Sequence, residues 1–261
     1  MMNKKFRLIL LIVCVTISGT TASADDKYFD SSGVKIHYIV EGTGSPVLLV
    51  HGYTANLRRQ WVDLGIFEGL VSAGHRVIAF DLRGHGKSDW PLTAEMYGLE
   101  MVEDGRRLLD HLGIERAHIV GYSMGGKIVA KFGELHPGRA QSLTLGGVGI
   151  PFWAPDSPSE EQIAQSFRDL GLEGEMSPKA IAAMSAAYPD FLTDESALRK
   201  IEAPTLVIVG DADMRTEGAK SLAKIIPGAR FVMVPGNHGE APGAPKFLSG
   251  LVQFLGDHDT S

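Results

Sequence analysis

Cysteine is nearly missing from this chain of 261 residues, and the single one, Cys14, lies within the first 24. Those residues read as a secretory leader. Lys4, Lys5 and Arg7 come first, an apolar stretch from Leu8 to Ile17 follows, and Ala22-Ser23-Ala24 is a small-residue cleavage pattern. The mature chain is then expected to start near Asp25 and to carry no thiol at all, which excludes cysteine nucleophiles, disulfides and cysteine metal sites. Long hydrophobic runs are lacking too. The apolar stretch of the leader is ten residues, about half of what a bilayer crossing needs. No stable membrane anchor is expected after cleavage, and the protein is expected to be exported, to a periplasm or outside the cell.

Positive charge is also scarce. The chain has 25 Lys and Arg against 31 Asp and Glu, a formal charge of −6. The leader holds three of the basic residues and none of the acidic ones, so its removal leaves 22 against 31, or −9. An acidic surface argues against a nucleic-acid partner. What is present is ordinary for a globular protein, with 44% hydrophobic and 21% charged residues. This length allows one domain with a full core, or a core carrying an insertion.

"VKIHYIVEG" (34–42) alternates as an antiparallel strand with one exposed face does. "SPVLLVHG" (45–52), "HRVIAFD" (75–81), "AHIVGYS" (117–123), "SLTLGG" (142–147) and "PTLVIVG" (204–210) are continuous apolar runs, the pattern of strands buried on both faces of a parallel sheet. Helical patterns at 61–71, 99–112, 125–135 and 216–226 separate them, and a strand in "ARFVMVPG" and a helix over 245–255 follow. The expected class is α/β: a mostly parallel sheet of about eight strands with helices on both faces and ligands bound beyond the carboxyl ends of the strands. Residues 150–200 interrupt the alternation with two helix starts, capped by Ser159 and Ser177. They are expected to form a helical cap, leaving 25–149 and 201–261 as the core. Phe152, Trp153 and Tyr188 of the cap are expected to line a substrate pocket, with Phe167, Met176, Met184 and Phe191 divided between that pocket and packing.

The chemistry concentrates at the strand ends. "GYSMGG" (121–126) puts Ser123 between two glycines where a buried strand meets a helix, the setting of a nucleophile on a sharp turn. Gly121 and Gly125 occupy the offsets that such a turn crowds, and the helix behind it aims positive N–H groups at the hydroxyl. A serine needs a base. Downstream histidines are His136, too near in sequence to fold back, His238 in "VPGNHG" after the last strand, and His258, expected to be disordered near a polar terminus. His238 is the candidate base. "GDADMRTEG" supplies Asp211, Asp213 and Glu217 as candidate acids, and spacing does not choose among them. The oxyanion hole is assigned to the backbone N–H groups of Met124 and of Tyr53, in the loop "HGYTAN", where Gly52 permits close approach.

"HGY" (51–53), "DLRGHGKS" (81–88), "GYSMGG", "GDAD" (210–213) and "GNHG" (236–239), in that order along the chain, resemble the α/β-hydrolase superfamily in its compact, cap-bearing, esterase-like branch. The resemblance implies Ser123 as nucleophile, His238 as base and Asp213 as acid, with Asp211 the alternative, and a structural role for Asp81 and His85. Serine at the elbow departs from dehalogenases and epoxide hydrolases, which carry aspartate there. Threonine in "HGYT" weakens a cofactor-free haloperoxidase reading, where proline is common. The implied activity is cleavage of a small-molecule carboxylic ester without a cofactor. Lactone opening or carbon–carbon cleavage of a diketone acid would use the same residues, and a non-catalytic ligand-binding member of the fold is the alternative of another class.

Other motifs fail on inspection. "GHGKS" resembles a phosphate loop, but Asp81 stands where the first glycine belongs. In "DADMRT", Arg215 replaces the third oxygen ligand of a calcium loop. His37, His75, His111 and His118 lack metal-ligand spacing and are expected to be core or solvated residues.

Overall fold

Runs of apolar residues with no polar alternation can only be buried by covering both faces of a sheet, and the computed structural model, which describes residues 24–152, 158–172, 174 and 176–259, does this. β3 (Pro46–Val50), β4 (Arg76–Phe80), β5 (Ala117–Tyr122), β6 (Ala140–Gly146), β7 (Thr205–Gly210) and β8 (Arg230–Val234) pair in parallel. At one edge β2 (Val34–Glu41) pairs antiparallel to β4 and to β1 (Lys27–Ser31). The order across the sheet is β1-β2-β4-β3-β5-β6-β7-β8.

β1 escaped the sequence reading because it is a short edge strand, "KYFDS", with only Phe29 and Ser31 buried. A tight turn holds it to β2, with Ser32 at φ 55° and Gly33 at φ 83°. The helix expected over 61–71 is also broken. Arg58–Val62 form one wide turn, Gly65 sits at φ 71°, and α1 (Ile66–Ser72) starts only there. A left-handed residue cannot continue a right-handed helix.

One face of the sheet is covered by α2 (Leu99–His111), α3 (Met124–Leu135) and α7 (Thr216–Ile225), and the other by α1 and α8 (Pro245–Gly256). Over residues 150–200 lie α4 (Glu160–Leu170), α5 (Pro178–Ala186), a short turn at Tyr188–Phe191 and α6 (Glu195–Leu198). Ser159 caps α4 through a reciprocal box with Gln162, and the Ser177 side chain accepts the Ala180 N–H. Ile163, Phe167, Met184 and Phe191 are buried in the same apolar cluster as α2 and α3, so the cap is packed on the core.

The chain leaves β3 outward to β4, then returns to place β5 on the other side of β3. That reversal opens a crevice between the loops after β3 and β5, where doubly wound sheets bind ligands. His258 is not loose. Its ring packs 4.8 Å from Phe254 and its carbonyl accepts the Gln141 side chain, because the segment after α8 folds back beneath the sheet. Among the described residues no helix is long and apolar enough to cross a membrane.

Candidate active site

Ser123 lies between the last residue of β5 and the first of α3, at φ 56° and ψ −118°, a conformation that an L-residue adopts only under constraint. The constraint is the neighbouring backbone. A Cβ on Gly121 would stand 2.2 Å from the Gly125 carbonyl oxygen, and one on Gly125 would stand 2.1 Å from that of Val50. The Ser123 N–H donates to Gly146 at 2.8 Å, and its carbonyl accepts the N–H groups of Gly126 and Lys127. The turn is thus held from both sides.

His238 reaches the serine from the loop after β8, with Nε2 3.0 Å from Ser123 Oγ. Its Nδ1 is 2.6 Å from Asp213 Oδ2. The carboxylate is fully buried, and its other oxygen accepts the Arg215 backbone N–H at 3.0 Å, with the guanidinium 3.3 Å away. An ionised carboxylate only accepts, so Nδ1 carries the hydrogen and Nε2 is left to accept from the serine. Burial holds the His238 pKa below its ordinary value. The hydrogen bond to Asp213 opposes this, while the charges of Arg215 and Lys127 reinforce it.

The structure brings Asp213, not Asp211, to the histidine. The Asp211 carboxylate accepts the Gly236 N–H at 3.0 Å and so braces the loop that carries His238. Glu217 is exposed on α7, paired with Lys220. Tyr122, passed over in the sequence, holds the histidine from behind: its hydroxyl donates to the His238 carbonyl at 2.6 Å, and the two rings lie 5.2 Å apart.

The Met124 N–H, at the free end of α3, and the Tyr53 N–H, in the loop after β3, have no hydrogen-bond acceptor among the described residues. His51 fixes the start of that loop. Its Nε2 accepts the Leu82 N–H at 3.0 Å while Nδ1 donates to the Gly52 carbonyl at 2.8 Å, a pattern that requires the neutral ring, and burial lowers its pKa accordingly. Asp81 is structural, as the sequence implied. It accepts from Leu57, Lys87 and His37. Burial alone would raise its pKa, but these hydrogen bonds and the nearby histidines bring it below the ordinary value.

Ser123 opens into a cavity of about 420 Å³, walled by Tyr53, Thr54, Lys127 and Arg215 from the core and by Ile163, Phe167 and Tyr188 from the cap. Tyr188 is where it was expected. Phe152 is not: it lines a separate depression with Pro151, Asp194 and Leu198, because the chain after β6 is tied to the first turn of α7, where the Ile150 N–H donates to the Gly218 carbonyl at 3.2 Å. Trp153 lies outside the described residues. Lys127 and Arg215 went unnoticed in the sequence, although Lys127 directly follows the elbow glycines and Arg215 stands two residues after Asp213. Among the described residues no group of three or more His, Cys, Asp or Glu side chains could hold a metal ion.

The model of the alpha/beta hydrolase fold family matches residues 45–177, the stretch from β3 through the elbow into the cap. The chain belongs to this family. As an alpha/beta hydrolase it is 36% identical over 147 residues to 2-hydroxy-6-oxo-6-phenylhexa-2,4-dienoate hydrolase of Comamonas testosteroni, a match covering 54% of this chain and 50% of that one. It is 38% identical over 141 residues to epoxide hydrolase 3 of Siraitia grosvenorii, covering 54% and 44%. The matches therefore span about half the length of these relatives. The crystal structure of the enol-lactonase from Burkholderia xenovorans LB400 superposes with a TM-score of 0.75 over 88% of this chain and 100% of that one, at 22% identity, a likeness of fold.

Proposed function

We propose that this alpha/beta hydrolase is an exported serine esterase that cleaves carboxylic esters of small to medium acyl groups through an acyl-enzyme. One observation carries the reading: Ser123 Oγ, His238 and Asp213 form an unbroken hydrogen-bonded line, at 3.0 and 2.6 Å, that opens into a cavity. Ser123 attacks the ester carbonyl while Nε2 takes its proton. Asp213 orients the ring and stabilises the imidazolium. The carbonyl oxygen, now negative, lies against the Tyr53 and Met124 N–H groups at the positive end of α3. The imidazolium then gives its proton to the departing alkoxide. Water, deprotonated by the same nitrogen, releases the acid and restores the serine.

Epoxide opening is disfavoured although one relative bears that name, since serine stands where such enzymes carry aspartate. Carbon–carbon cleavage of a diketone-like acid is the second reading, favoured by the name of the Comamonas relative, whose matched region has 36% identity. Lactone opening needs the same residues, as the triad fixes the mechanism and the cap selects the substrate.

Export rests on the first 24 residues, and the mass of the protein recovered from a secreting bacterial host tests it. A mature start near Asp25 is expected, and an intact Met1 would contradict it. The ester reading is tested by hydrolysis of p-nitrophenyl esters from acetate to palmitate. A cavity of this size is expected to favour acyl chains of intermediate length. No turnover of any member, with turnover of a dienoic diketone acid, would replace the first reading by the second.

A further inference from the structure

The loop that carries the Tyr53 N–H is held from two sides. On the core side His51 donates to the Gly52 carbonyl at 2.8 Å, and Arg59 donates to the Thr54 carbonyl at 3.3 Å. On the cap side the Tyr53 hydroxyl lies 3.3 Å from Oγ of Ser185, in α5. We infer that Ser185 is a positioning residue: through the Tyr53 side chain it keeps the Tyr53 N–H where the oxyanion forms. This rests on Ser123 as nucleophile with Tyr53 and Met124 as oxyanion donors, and not on which bond is cleaved.

Burial makes the contact matter. Ser185 is 1% exposed, and among the described residues its hydroxyl has no partner but Tyr53. Moving the cap off the loop would strand a buried hydroxyl, which is unfavourable. Burial also raises the pKa of the Tyr53 phenol, so the phenol keeps its proton. The next residue, Thr54, sits at φ 56°, in the left-handed region that a β-branched residue rarely enters. Such a conformation persists only where surrounding contacts impose it. A loop released on the cap side would relax there and carry the Tyr53 N–H with it. Three residues beyond Ser185, the Tyr188 hydroxyl accepts the Lys127 ammonium at 3.2 Å. Lys127 stands one turn into α3, whose free end carries the Met124 N–H. One short stretch of the cap, 185–188, thus touches both elements that supply the oxyanion donors, and the spacing of the donors depends on the cap as well as on the sheet.

The experiment uses ethyl p-nitrophenyl hexylphosphonate on the mature enzyme. Ser123 Oγ bonds to phosphorus, His238 takes the proton and p-nitrophenolate leaves. The phosphoryl oxygen gains charge during attack and draws on the same two donors. Wild type, Ser185→Ala, Tyr53→Phe and the double variant are compared by the burst of p-nitrophenolate over a range of probe concentrations. The burst amplitude counts folded sites, so partial unfolding leaves the rate constants unaffected. Each single variant is expected to lower the limiting rate roughly three- to tenfold, the weight of one hydrogen bond, with the half-saturating concentration within about twofold of wild type. The double variant is expected to be no slower than the slower single one, since both substitutions remove the same bond.

An unchanged limiting rate in the single variants, a loss seen only in half-saturation, or losses that multiply in the double variant would each overturn the role of Ser185. The esterase reading is decided separately, by turnover of p-nitrophenyl hexanoate. A wild type that is phosphonylated at Ser123 but leaves this ester intact loses the esterase reading and keeps the test of Ser185. A wild type that gives no burst overturns both.

Discussion

At the scale of single residues, two aspartates two positions apart have different tasks. Asp213 is buried and touches the His238 ring, whereas Asp211 touches only the backbone of the loop that carries it. Asp213→Asn is therefore expected to lower kcat by roughly 10⁴-fold by disturbing the tautomer. Asp211→Asn is expected to cost about 1 kcal/mol of stability, with activity within about tenfold of wild type. Equal losses in the two variants, measured side by side, would contradict the assignment. The same scale sets the pH profile. His238 accepts a proton only when neutral, and its pKa lies below 6.5, so kcat/KM is expected to rise through a limb below that pH. Arg215→Gln removes a charge that disfavours the imidazolium and frees Asp213 to favour it, both of which raise the pKa. The limb is expected to move toward higher pH, and a pH–rate profile with the limb unmoved or lowered would contradict this.

At the scale of elements, the elbow is held by contact rather than by propensity. Gly125→Ala brings a Cβ to 2.1 Å from the Val50 carbonyl and is expected to destabilise the protein by about 3 kcal/mol, at the upper end of overpacking. Gly138→Ala, in the turn Pro137–Arg139, meets nothing within 4 Å and is expected to change stability by less than about 0.5 kcal/mol. Urea denaturation of both variants checks the contrast. This crowding is also why the elbow could be read from the sequence. Glycines at fixed offsets around a serine, after an apolar run, are a local demand that leaves a local trace. The buried parallel strands were legible for the same reason. β1 was not, because an edge strand buries two side chains and its composition is that of a loop. The direction of Phe152 was not legible either, since it depends on where the chain turns after β6. Lys127 and Arg215 come from segments 88 positions apart, and only the fold shows that they share a cavity.

At the scale of the whole molecule, several histidines are buried uncharged. Burial holds His85 down to about 3 and lowers His51 and His118 in the same direction. The unfolded chain protonates such residues near pH 6.5, while native His85 stays neutral to about pH 3. Below pH 6.5 the unfolded state thus binds more protons than the native one, and stability falls as the pH falls from about 6.5 toward 3. The urea midpoint is expected to be lower at pH 5 than at pH 7.5, and a midpoint that rose on acidification would contradict the burial of these rings.

The central claim, that Ser123 is a nucleophile activated by His238, is tested most directly by labelling. The protein would be treated with a p-nitrophenyl alkylphosphonate, which reacts only with an activated serine, and the adduct located by peptide mass spectrometry. One adduct per chain on Ser123 is predicted, absent in Ser123→Ala and formed orders of magnitude more slowly in His238→Ala. An adduct on another residue, or labelling that survives Ser123→Ala, would contradict the account.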